Sequence, residues 1–569
     1  MSVVKRHSLA AAGLVCLAVV CPGHLSAQAR GRPNADTPRL LIGTFRSASA
    51  DTRIGVDGAE ALRARVQRES RPDELWVVPR DAMNEFLVQS GFNPDSALSL
   101  DDLKLLAQKF RADAMIDGVV TKTATGVELN ARYILPSNLA LVQPLPTIQA
   151  PTLEQAARQL ERHLTEVQKS LLDFRRCSNA LAAKQYGEAQ AAARQGIARF
   201  PSSTLSRLCL MDAYAREQQP TDSIIDAAEA VLRIDSTSAL ALMNLSAAFE
   251  ERHDTTNAID GMLRLVAVRP DLRPDVIQKL GKMNRPKLAL PLVARSLAEN
   301  PADAALLRQR WLLLLADHQW KEALVAGDEL VRADTSSATA DYFTRSIAAA
   351  SSDSQPTLAA DLATTAITRF PKDASLWALA AQTQRKAGRP ADAVGSVRQA
   401  LALDASTENA WPLLILAQIE LGQPDSAIVS ARLAVARGVD RATITRILDL
   451  PLTTTAKRAN ETKSRESWLE LLGRAFAVDS IVPSANAKYF IALGAFYVGM
   501  DALQNSVAAK RCDEARLAED MWATAAIYAP QGAQAGPQQK EAAAKILTAT
   551  GQYADAVAQA KRTLCKGKR

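Results

Sequence analysis

From about residue 170 the chain repeats itself at a spacing of about 34 residues, and this periodicity limits the possible folds more than any other feature. Each unit closes on Pro or Asp: Pro201, Asp235, Pro270, Pro301, Asp334, Pro371, Asp404 and Asp440. A small residue precedes each close by 11 to 13 positions: Ala189, Ser223, Ala258, Ala289, Ala323, Ala359, Ala393 and Ala427. Three residues before each of these lies a turn position: Tyr186, Pro220, Thr255, Pro286, Trp320, Pro356, Pro390 and Pro424. Within a unit, apolar residues such as Leu376, Leu379 and Ala380 recur at helical spacing. Gly388 and Gly422 suit the left-handed residue that ends a first helix. Pro390 and Pro424 suit the first turn of a second helix, where the missing N–H has no partner to lose. The small residue lets the two helices approach, and Pro or Asp stops the second one. A hairpin of this size buries only one face alone, so its neighbours must stack on it.

These landmarks resemble the tetratricopeptide repeat. Trp377 and Trp411 take its early aromatic position, Ala393 and Ala427 its small position, and Pro201, Pro270, Pro301 and Pro371 its terminal proline. The resemblance implies an α-solenoid of helical hairpins over residues 175–440. Past Asp440 the period degrades, and residues 441–565 read as degenerate repeats of the same kind. Helices are predicted over 466–478, 485–504, 513–528, 538–548 and 553–564. Loops are predicted at 456–465 and 532–537, and a repeat-type turn at Gly551-Gln552-Tyr553. Residues 566–569 form a basic tail.

Residues 38–150 have a different texture. Short apolar strands at 40–45, 75–78 and 114–120 alternate with helices at 59–68, 80–90 and 100–111. Alternating strands at 127–134 and 139–144 follow. The order predicts a small α/β domain with one helical face, joined by a helix over 151–174 to the repeats. The segments RLLIGTF, ELWVVPRDAM, LKLLAQKFRADAMIDGVV and GVELNARYI resemble the amino-terminal domain of the TolB family, a periplasmic module that mediates protein contacts. No blade-like strands follow, so TolB's propeller has no counterpart. The fold class is therefore α+β and mostly α.

The first 29 residues read as a secretory signal. Lys5, Arg6 and His7 are basic, Leu9 to Val20 is apolar but too short to span a bilayer, and Ala27-Gln28-Ala29 fits a cleavage site. Residues 30–37 form a linker. No later apolar run is long enough to span, so no transmembrane segment remains after cleavage. The expected location is periplasmic or envelope-associated. The net charge of +7 falls to 7 − 2 = +5 once Lys5 and Arg6 leave, with both signs dispersed, which gives no nucleic-acid stripe. Four of the six cysteines lie beyond the signal. In an oxidising compartment they are expected as two disulfides. Cys177 and Cys209 fall at nearly the same level of adjacent first helices and are expected to pair, which leaves Cys512 with Cys565.

No nucleophile, metal or phosphate motif is present, and His163, His253 and His318 are isolated in sequence. The chain reads as a non-enzyme without a cofactor. Repeat arrays bind partners mainly through their first helices. By repeat position the candidate groove residues are Phe174, Ser178, Leu208, Asp212, Met243, Arg308, Thr344, Gln382 and Arg385. The Lys/Asn clamp for a free carboxyl terminus is absent from these positions. The expected function is a periplasmic scaffold that binds envelope proteins within a cell-envelope assembly. The alternative is a solute- or glycan-binding envelope receptor, and a third reading is an envelope enzyme with its site in the α/β domain.

Overall fold

In the computed structural model the apolar strands and periodic helices form the elements that their patterns require. The structure describes residues 37–48 and 51–565. The expected signal, all of the expected linker but Thr37, and the basic tail lie outside the described residues. The chain divides after Val276 into two units.

The first unit opens with strands β1 (Arg39–Ile42) and β2 (Arg46–Ser47), helix α1 (Arg53–Glu69), strand β3 (Trp76–Val77) and helices α2 (Arg80–Gln89) and α3 (Leu100–Lys109). Strands β4 (Ala114–Thr123), β5 (Gly126–Ile134), β6 (Val142–Pro144) and β7 (Ile148–Ala150) follow. The sheet order is β3-β1-β4-β5-β6, with β2 also on β4 and β7 also on β5. β1, β2 and β3 run parallel to their neighbours, whereas β4–β5 is an antiparallel hairpin closed at Thr123 and Gly126. Ile42 pairs with Ile116 and Arg46 with Val119, so the three residues 43–45 oppose the two residues 117–118. This extra residue is a bulge.

The sheet carries helices on both faces, which corrects the single helical face expected from sequence. Leu41, Met115 and Ile134 pack with Met83, Leu87, Leu103 and Leu106 of α2 and α3. Leu40, Ile42 and Ile116 pack on the other side with Leu62 and Val66 of α1 and with helix α4 (Leu153–Ala182). Strand residues alternate between faces, so adjacent positions such as Leu40 and Leu41 serve different cores. Parallel strands buried on both faces are apolar at every position, and that pattern does not reveal how many helices cover them.

Helix α4 is unbroken for 30 residues, so the expected junction at 174/175 falls inside one helix. Its buried stripe of Ala156, Ala157, Leu160, Leu164, Val167, Leu171, Phe174, Cys177 and Leu181 belongs to one core that includes both the sheet and the first repeats. Gln143 of β6 strengthens this junction. Its Oε1 accepts from Thr204 N at 2.7 Å and its Nε2 donates to Ser202 O at 2.9 Å, which caps the next helix pair.

Three hairpins complete the unit: α4 with α5 (Tyr186–Arg199), α6 (Thr204–Arg216) with α7 (Thr221–Leu232), and α8 (Ala239–Glu251) with α9 (Thr255–Val268). The boundary between units falls in α10 (Arg273–Lys282). The second unit continues with α11 (Pro286–Glu299). It then has four hairpins: α12 (Ala304–Ala316) with α13 (Trp320–Ala333), α14 (Ala340–Ser352) with α15 (Pro356–Arg369), α16 (Ala374–Lys386) with α17 (Pro390–Leu403), and α18 (Ala410–Glu420) with α19 (Pro424–Ala436).

Eight turns share one geometry. A residue with positive φ ends each first helix: Lys184, Gln218, His253, Asn284, His318, Ser354, Gly388 and Gly422. The N–H of the following residue bonds back five positions, as in Gln185 N to Ala180 O (2.8 Å), Arg285 N to Leu280 O (2.9 Å) and Gln423 N to Gln418 O (2.8 Å). This bond satisfies a carbonyl that the helix end would otherwise orphan. The expected turn positions start or cap the second helices, and the small residues from Ala189 to Ala427, except Ser223, are buried. These are tetratricopeptide-type helical hairpins.

Five longer helices finish the chain: α20 (Arg441–Thr462), α21 (Arg465–Ile481), α22 (Ala485–Ala509), α23 (Cys512–Gly532) and α24 (Pro537–Leu564). The loop expected at 456–465 is instead the end of α20, with a break only at Lys463 and Ser464. Thr455 and Ala459 are buried there while the charged residues face outward. Polar composition thus marked a solvated face and not a loop. The expected turn at Gly551 is likewise helical, inside α24. Two disulfides join Cys177 of α4 to Cys209 of α6, and Cys512 of α23 to Cys565 after α24.

Candidate partner-binding face

Helices α12, α14 and α16 are anchored at their starts by side-chain caps. Asp303 Oδ1 accepts from Ala305 N (2.9 Å) and Leu306 N (3.1 Å), Thr339 Oγ1 accepts from Tyr342 N (3.2 Å), and Asp373 Oδ1 accepts from Ser375 N and Leu376 N (3.0 and 3.1 Å). These caps fix where those three helices begin, and so which of their side chains turn outward.

Two of the sequence candidates do not reach the surface. Phe174 is 7% exposed and Leu208 is 3% exposed, and both are core residues. Repeat position alone does not separate the groove side of a first helix from its packed side. The remaining candidates are exposed or half-buried. In the first unit these are Ser178 on α4, Asp212 on α6 and Met243 on α8, the last 47% exposed. In the second unit they are Arg308 on α12, Thr344 on α14, and Gln382 and Arg385 on α16.

Several are held by neighbours. Asp212 pairs with Arg216 at 2.9 Å, one helical turn away. Arg308 donates to Ser337 Oγ at 2.9 Å, and Ser337 donates to Asp334 at 2.6 Å. Hydrogen bonds from Ser336 and Ser337 hold the Asp334 carboxyl below its ordinary range, so it remains an anion that anchors this chain of donors. Arg385 bridges to Glu420 of α18 at 2.6 Å. Thr344 donates its hydroxyl back to Ala340 O at 2.9 Å. Arg308 and Arg385 therefore join successive hairpins as well as facing solvent, whereas Ser178, Met243 and Gln382 do not.

The structure adds positions that the sequence reading missed. Ala305 and Leu312 flank Arg308 on α12, and Ala348 follows Thr344 on α14; all are exposed. Their spacing of three or four from the chosen residues places them on the same side of each helix. Extending each candidate by one helical turn would have found them. The face is thus built of small, aliphatic and singly charged groups. Among the described residues, no group of three or more His, Cys, Asp or Glu is placed to hold a metal ion. His253 and His318 occupy left-handed turn positions, and His163 lies on α4. No helix of the described residues is long and apolar enough to cross a membrane.

No protein-family model matches this sequence, and no curated protein matches it. Solved structures do resemble parts of it. The chain is similar to PilF of Pseudomonas aeruginosa, at 16% identity and TM-score 0.22, covering 39% of this chain and 99% of that one. It is similar to YrrB, described as a TPR protein with an unusual peptide-binding site, at 16% identity and TM-score 0.20, covering 38% and 95%. It is also similar to the Naa15/Naa10 complex bound to HypK-THB, at 14% identity and TM-score 0.37, covering 68% and 67%.

Proposed function

We propose that this chain is an exported scaffold that binds protein partners in the cell envelope through the outward side of its first helices. The observation that carries this reading is the repeated presentation of exposed or half-buried side chains at two positions of the first helices, one helical turn apart: Arg308 and Thr344 at the earlier and Gln382 at the later in one unit, Met243 at the earlier and Ser178 and Asp212 at the later in the other. Stacked hairpins supply a long surface at low cost in loops, and such surfaces recognise extended segments or helices. Two disulfides support a location where thiols are oxidised. The signal-like first residues and the TolB-like texture of residues 38–150 support the same compartment.

Crosslinking in intact cells, with the chain as bait, tests the proposal. Partners captured by the native chain should be lost by a chain carrying Met243→Glu, Arg308→Glu and Gln382→Glu, while its circular dichroism stays unchanged. Equal capture by both chains would place the contact elsewhere. Amino-terminal sequencing of the envelope fraction tests export separately, with a start after Ala27 or Ala29 expected.

A further inference from the structure

A cavity of about 180 Å³ lies where the starting ends of β1, β3 and β4 meet α4. Two polar groups on its wall are unanswered. Gln168 Nε2 is buried with no hydrogen-bond partner. Tyr133 is buried except for its access to this cavity, and its hydroxyl has no hydrogen-bond partner among the described residues. Burial pushes the Tyr133 phenol well above its ordinary range, so it stays an O–H donor throughout the physiological range. Arg175 adds a guanidinium at the rim.

The two carboxylates among the lining residues each face a cation. Asp113 accepts from the Arg39 backbone N–H at 2.8 Å and pairs with Arg175 at 3.5 Å. Glu74 faces Arg71 at 3.6 Å. The two unpartnered groups can both donate, and a buried donor without an acceptor is costly. Beside these donors the wall is aliphatic, supplied by Leu40, Leu75 and Leu171. The volume matches about six waters at liquid density, or a solute of about six non-hydrogen atoms.

We infer that this cavity is a binding site for a short aliphatic carboxylate, whose oxygens accept from Gln168 and Tyr133 and whose tail lies against the leucines. Arg175 strengthens the match to an anion at the rim. The site lies wholly within the first unit, and its donors Tyr133 and Gln168 are not among the residues of the partner-binding face, although Arg175 at the rim is one turn before Ser178.

Saturation-transfer NMR and calorimetry on the purified, oxidised chain test this with butyrate, propionate, butanol and butylamine as probes. Butyrate should bind with a dissociation constant of about 0.1–10 mM, as suits so few atoms. Butanol and butylamine should bind at least about tenfold more weakly, because the donors would lack a charged acceptor. Tyr133→Phe and Gln168→Leu should each weaken butyrate by about tenfold, and the more exposed Arg175→Gln serves as a variant that leaves the cavity wall intact. The inference is overturned if no probe binds and the cavity holds only water, if the amine or alcohol binds as well as butyrate, or if folded Tyr133→Phe and Arg175→Gln chains both bind as the native one does.

Discussion

Reduction of the two disulfides is expected in a fixed order. Cys177 and Cys209 are 0% and 4% exposed, inside the core that the sheet shares with the first hairpins. Cys512 is 9% exposed and Cys565 is half-buried, at the start of α23 and the end of α24. An attacking thiolate must reach a sulfur, so a dithiol meets the second bond first. That bond closes a separation of 53 residues, worth about 4 kcal/mol of unfolded-state entropy on the loop model. The helix it secures is lightly packed. Of the 28 residues of α24, the buried ones are Ala543, Ile546, Thr550, Val557 and Ala560. Burial of Ile546 and Val557 contributes about 3–6 kcal/mol in all, similar to the disulfide. Native-state reduction should therefore release α24 first while the rest stays folded. Pulse alkylation with peptide mapping reads the order, and hydrogen exchange over residues 537–564 reads the release. Alkylation of Cys177 and Cys209 as fast as Cys512 and Cys565 would refute the reasoning, as would unchanged exchange in α24 after its bond is cut.

Three more outcomes follow from particular contacts. A Cβ on Gly499 of α22 would lie 2.6 Å from the Trp522 indole, so Gly499→Ala should lose about 1–2 kcal/mol in urea titration, overpacking outweighing the gain in helix propensity. His318 and Ser354 hold φ of 57° at the turns where Gly388 and Gly422 hold 75° and 78°; His318→Gly or Ser354→Gly should stabilise by about 0.5 kcal/mol and Gly422→Val should destabilise by about 1–2 kcal/mol in the same assay. Arg474 of α21 donates to Asp425 of α19 at 2.9 and 3.2 Å and holds that carboxyl below its ordinary range, so its contribution is present above the unfolded pKa and fades as pH falls through the folded one; Asp425→Asn should lower stability by at most about 1 kcal/mol at pH 7, and the loss should shrink as the pH falls below the ordinary carboxylate range.

The hairpins were legible because each repeat states its own turn. Pro356, Pro390 and Pro424 start second helices, and the buried alanines from Ala323 to Ala427 follow at fixed spacing. Only two of the eight left-handed turn residues are glycine, so the turn geometry itself was half hidden: His253, Asn284 and Ser354 hold the same conformation without signalling it. The C-terminal helices were less legible because their long amphipathic faces contain Gly551 and the polar run around Lys457 and Arg458 without breaking. The candidate face was legible by position and not by orientation. Ser178 and Gln382 are exposed, but Phe174, one turn before Ser178, is turned into the core. The tie from Gln143 to the start of α6 spans 61 residues and leaves no local mark in the sequence.

That tie bears on how the α/β domain can be isolated. A boundary at 150/151 follows the change of texture in the sequence, yet the sheet face beneath it is completed by α4. A fragment of residues 38–150 would expose the surface that Ala156, Ala157, Leu160, Leu164, Val167 and Leu171 now cover. Four of these are large aliphatic side chains, and losing their burial removes about 6–12 kcal/mol, comparable to the whole stability of an ordinary domain. Residues 38–150 should therefore show no cooperative transition in urea. Residues 38–268 keep α4, its hairpin partners, the Cys177–Cys209 bond and the Gln143 contacts. That fragment should unfold in one cooperative step when monitored by circular dichroism. A cooperative transition in the shorter fragment would show that the sheet carries its own core. Two separate transitions in the longer one would show that α4 joins two independent domains and not a single core.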